Sequence, residues 1–126
     1  MVKKDYVERV IEDIAKALAK TLLGKETVIY ELPSEEETMS DTDHLYQELI
    51  NLLEQGDICK AEDLLYDNIR AEDNDWYEMA LSFYLQVNKK DEMFLEEHNY
   101  SREEIKQGME DITKRCGFGE FPALFD

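Results

Sequence analysis

The chain has 126 residues, two prolines, five glycines, and 31 carboxylates against 14 Lys and Arg, for a net charge of −17. Such a length makes one ordinary domain that buries about two-thirds of its unfolded surface without a disulfide or metal staple. The composition favours helices over a sandwich or barrel of short strands. The charge disfavours nucleic acid and anionic lipid as partners, and no apolar run spans a bilayer.

Residues 1–24 read as an N-terminal amphipathic helix. Val7, Val10, Ile11, Ile14, Leu18, Thr21 and Leu22 recur every three or four residues, and Gly24 supplies the stop. Residues 1–25 also hold six of the basic side chains against four acidic ones, so the remaining 101 residues carry about −19. The apolar stripe needs a cover. The fold itself is the first choice, and a homodimer through residues 5–23 is the second. Lys3, Lys4, Arg9, Lys16 and Lys20 leave a third option, a peripheral membrane or nucleic-acid arm, which Asp5, Glu8, Glu12 and Asp13 weaken.

Residues 25–40 change character. Val28-Ile29-Tyr30 is briefly β-prone, Pro33 breaks a helix and Glu35-Glu36-Glu37 is a charge run, so the segment is expected to be an acidic linker. Residues 41–126 are expected to form a compact helical domain with an apolar tail. Ser40, Asp41 or Asp43 caps a helix through Leu45, Leu49, Leu52 and Leu53, and Gly56 ends it. Asp57 caps the next, which carries Ile58, Ala61, Leu64, Leu65 and Ile69, and the pair makes a tight hairpin.

Asp75 and Glu78 have the spacing of a capping box opening a helix to about Asn88. That helix is apolar on nearly every face, which places it centrally. Its Trp76, Tyr77 and Tyr84 belong to the core or, alternatively, line a peptide groove. A short helix over Asp91–His98 follows, then a Ser101–Glu104 capping box opening a helix with the face Ile105, Met109, Ile112 and Cys116. Gly117 ends it. The tail, with Phe121 and Phe125, is apolar enough to fold back as a latch or to dock on a neighbour.

Two resemblances follow from particular residues. Gly56-Asp57-x-x-x-Ala61 followed by Leu64-Leu65 resembles the turn of a tetratricopeptide repeat, although Asn68 stands where a second small residue is usual and no copy recurs after 34 residues. Asp5-Tyr6-x-x-Arg9-x-Ile11-Glu12-Asp13, Gly24-Lys25 and Asn99-Tyr100-Ser101-Arg102-Glu103-Glu104-Ile105 resemble a family of small acidic bacterial proteins grouped as a domain of unknown function. That resemblance implies a cytoplasmic protein and transfers no activity.

The residues carry no enzyme signature. His44, Cys59, His98 and Cys116 are scattered without metal-ligand spacing, and Cys59 beside Lys60 has no histidine next to it in sequence. The glycines form no phosphate loop. With no apolar leader, both thiols are expected to be reduced in the cytoplasm. The expected molecule is all-α, a tetratricopeptide-like helical-hairpin bundle of about five helices plus the long first one, with no catalytic residue, cofactor or metal. It acts as a protein-interaction module through Val7, Val10, Ile11, Ile14, Leu18, Leu22, Trp76, Tyr77, Tyr84, Phe121 and Phe125, its protein partner undefined. An enzyme whose site is assembled only in space is the remaining alternative.

Overall fold

The computed structural model describes residues 2–117, with side chains from Tyr6 onward. Six α-helices follow one another: α1 (Val2–Leu18), α2 (Asp41–Glu54), α3 (Ile58–Asp67), α4 (Asn74–Asn88), α5 (Glu92–Glu97) and α6 (Arg102–Arg115). There is no strand among the described residues, so the all-helical expectation holds. The β-prone stretch after Gly24 is irregular because it has no second strand to pair with.

α4 is the axis of the bundle. It packs against α1, α2 and α6, while α2 and α3 form the hairpin and α1 also meets α6. Eleven of its 15 residues are buried, among them Trp76, Tyr77, Met79, Phe83 and Tyr84, as its apolar circumference requires. A single apolar cluster includes Ile11, Ile14, Ala15 and Leu18 of α1, Leu49 and Leu53 of α2, Ala61 and Leu65 of α3, Leu95 of α5 and Ile105, Met109 and Ile112 of α6. The apolar stripe of α1 therefore has its cover within the same chain.

The helix ends show where local rules held. α1 runs into a π-helical turn, Ala19–Leu23, closed by Gly24 at φ +69°. Ser40 caps α2 in a capping box with Asp43, and Ser101 caps α6 in one with Glu104. Two expectations need correction. Asp57 precedes α3 with φ −89° and ψ +61°, outside the extended geometry of a capping side chain, and makes no such bond. α4 begins at Asn74, where Asp73 accepts from the Trp76 amide; Glu78 is free of capping duty because other groups engage it.

Candidate functional site

Glu78 is the anomaly from which the site is built. A carboxylate in the middle of an apolar helix must find charge or hydrogen-bond partners, because burying it alone is prohibitive. Its side chain is 4% exposed and takes a 2.7 Å ion pair from Lys25 Nζ on one oxygen and a 2.8 Å hydrogen bond from the Ile29 amide on the other. Both partners come from the irregular segment after α1. The hydrogen bond to Glu78, followed by its charge, holds the Lys25 ammonium above its ordinary pKa.

One residue further on, Tyr30 repeats the arrangement against α2. Its hydroxyl donates to Asp43 Oδ1, and its ring packs edge-on to Tyr46 with centroids 5.0 Å apart. Tyr46 in turn bonds Ser82 of α4 at 3.0 Å. Burial alone would raise the Asp43 pKa, but bonds from the Tyr30 hydroxyl and from Ser40 outweigh it and hold the carboxyl below its usual value. Burial, then Asp43, pushes the Tyr30 phenol up, so it stays a donor.

Residues 25–34 thus form a strap held by two buried carboxylates, Glu78 and Asp43. No residue between Lys20 and Asp41 is itself buried, and no backbone-to-backbone hydrogen bond joins residues 26–34 to anything described. A cleft of about 250 Å³ lies beneath, lined by Ala15 and Lys16 of α1, Thr27 and Val28 of the strap, and Ser82 and Leu85 of α4. The outer side of the strap presents Ile29 at 56% and Leu32 at 37% exposure.

Two other polar clusters are structural in character. Glu62 Oε2 accepts from Tyr84 at 2.7 Å and Tyr100 at 2.9 Å, and Tyr66 bonds Tyr84 at 3.2 Å. Burial raises the Glu62 carboxyl pKa against the opposing effect of those two hydroxyls, and both buried phenols shift upward, so they stay protonated and donate to Glu62. Arg102 makes four hydrogen bonds: it donates to Asn88 Oδ1 at 3.1 Å, to the Asn88 and Lys90 carbonyls at 3.0 and 2.7 Å, and to Glu92 at 2.7 Å. It ties the end of α4 to α5 and α6.

The structure places the sequence-marked residues as follows. Ile11, Ile14 and Leu18 are buried, whereas Val7, Val10 and Leu22 are half-buried along the rim of α1. Trp76, Tyr77 and Tyr84 are fully buried. Phe121 and Phe125 lie outside the described residues. Sequence reading passed over Lys25, Tyr30 and Glu62, and gave Glu78 a capping role. The signal for Glu78 was present as one acid inside Trp76-Tyr77-Glu78-Met79-Ala80-Leu81. Cys59 is exposed and Cys116 buried, its thiol pushed up to about 11 by desolvation, and both are free. Among the described residues no group of three or more His, Cys, Asp or Glu side chains is arranged to hold a metal, and no helix is long and apolar enough to cross a membrane.

No curated protein and no solved structure matches the chain. A family profile does, over residues 1–117, which include every described helix and the strap. On that match the chain belongs to the family of unknown function DUF6483.

Proposed function

We propose that this protein is a small, non-catalytic protein-interaction module whose contact surface is the outer side of the strap together with the rim of α1. The observation that carries the reading is the exposure of Ile29 and Leu32 on a segment pinned from behind by Glu78 and Asp43. Apolar side chains held outward on an anchored backbone lose little freedom on binding, which is what makes a contact surface effective. Tyr6, 65% exposed, and the half-buried Val7, Val10 and Leu22 extend the apolar character along α1. The fully buried Ala61 and the close α2–α3 hairpin support a tetratricopeptide-like scaffold. A cytoplasmic setting with both thiols free completes the reading.

Light scattering on the full chain and on an Ile29→Asp/Leu32→Asp variant tests it, followed by photo-crosslinking from position 29 against a control at exposed Asn51. A dimer dissociated by the variant identifies a second copy as partner. A monomer that crosslinks a protein from position 29 and none from 51 identifies another. A monomer with no crosslink from position 29 defeats the proposal.

A further inference from the structure

We infer that the strap is a displaceable intramolecular ligand, and that its seat, made by Glu78 of α4 and by Asp43 and Tyr46 of α2 beside the cleft between α1 and α4, accepts in its place an extended peptide carrying a lysine five residues before a tyrosine. The inference rests on the interaction-module reading and names the partner chemistry for the seat beneath the same segment.

Three observations carry it. The body contributes the buried parts of the contact, Glu78, Asp43 and Tyr46, whereas every strap residue facing them is half-buried or exposed. A preformed, buried acceptor set on the body and a solvent-accessible donor set on the segment are the two halves of a receptor and its ligand. The contacts are also of the kind an extended peptide makes with a receptor: one ammonium to a carboxylate, one backbone N–H to the same carboxylate, and one phenol seated against a ring with its hydroxyl on a second acid. Finally, residues 26–34 lack backbone-to-backbone bonds, and the 250 Å³ cleft under Thr27 and Val28 shows that the strap does not fill the space it covers. Displacement therefore breaks a few side-chain anchors and no secondary structure.

The charge of the site selects the occupant. At the two anchor positions Glu78, Asp43 and the neighbouring Asp75 present three carboxylates, which favours a cation and a hydroxyl donor there, whereas the cleft beside them is lined by Lys16 and Lys89 as well as Glu12. Tethering gives the strap a high effective concentration, so the native chain is self-occupied and a competing peptide wins only when the strap is weakened or the competitor is tighter.

The test uses the full chain, its Lys25→Ala/Tyr30→Ala variant, and a labelled synthetic peptide covering residues 24–33, Gly-Lys-Glu-Thr-Val-Ile-Tyr-Glu-Leu-Pro. The variant is expected to bind the peptide at least tenfold more tightly than the native chain does, and replacing either the peptide's lysine or its tyrosine by alanine is expected to remove that gain. A folded variant that ignores the peptide, or binds a scrambled one equally, overturns the inference. Native-state hydrogen exchange on the unmodified chain gives a second reading that does not depend on the variant folding. The Ile29 amide should exchange at least tenfold faster than the slowest α4 amides, and exchange only by global unfolding overturns displacement. Crosslinking from position 29 without peptide binding leaves the interaction reading in place and removes this one; peptide binding without a crosslinked partner supports this one and moves the contact surface from the outer side of the strap to its seat.

Discussion

Glu62 and Glu78 solve the same problem with different partners. Glu78 has a cation and an amide, while Glu62 has only hydroxyl donors, so burial dominates and its carboxyl pKa rises. A carboxyl that binds its proton more tightly folded than unfolded stabilises the fold at low pH, and that contribution is lost as pH rises through the folded-state value. Glu62→Gln is therefore expected to gain stability relative to the native chain as pH rises through the carboxylate range, read from urea midpoints at each pH; a difference independent of pH refutes the assignment. Tyr84 is constrained from the other side by Gly108, where an added Cβ would come within 2.4 Å of its ring and hydroxyl. Gly108→Ala should cost about 1–3 kcal/mol as overpacking in a well-filled core, measured by denaturant unfolding. Neither role was legible in the sequence. With 31 carboxylates no single one stands out by spacing, and which acid lies against which tyrosine depends on how α3 meets α4 and the connection between α5 and α6.

At the level of elements, local chemistry carried much of the fold. Ser40, Ser101, Gly24, Gly56 and Gly117 mark helix ends because the caps and left-handed turns they make are decided within a few residues. The strap was opaque for the opposite reason. Its order comes from side chains 13 to 53 positions away in sequence, Asp43 and Glu78, and short-range patterns do not report such pairs. The glycines also separate two costs. Gly24 has φ +69° and open space around it, whereas Gly56 has φ +86° and the His98 ring where a Cβ would stand. Gly24→Ala should cost about 1–2 kcal/mol, the price of a left-handed residue. Gly56→Ala should cost clearly more, because His98 is held by a 2.7 Å bond to the Phe94 carbonyl and lies tilted against the Phe94 ring. Equal unfolding midpoints for the two variants would show that His98 moves aside freely.

For the whole molecule, α1 is the element whose removal is most telling. Ile11, Ile14, Ala15, Leu18 and Ala19 are buried, and their loss would open apolar surface on α4 and α6. A chain lacking residues 1–24 is expected to lose cooperative unfolding by circular dichroism; retention of a sharp transition would show that the remaining helices form a core alone. The charge of −17 acts at the same scale, since self-repulsion opposes compaction. Raising NaCl from about 0.05 to about 0.5 M should therefore raise the melting midpoint, even though it screens the half-exposed Lys25 partner of Glu78.

Trp76 is the chain's only tryptophan, and its Nε1 is the one buried side-chain nitrogen or oxygen among the described residues that has no hydrogen-bond partner. An indole sealed from water emits at short wavelength, and its ring proton gives a single, isolated resonance with nothing to overlap it. It lies two residues before Glu78, on the first turn of the central helix. The protein therefore contains its own optical gauge, able to report opening of that end of α4 without any label being added.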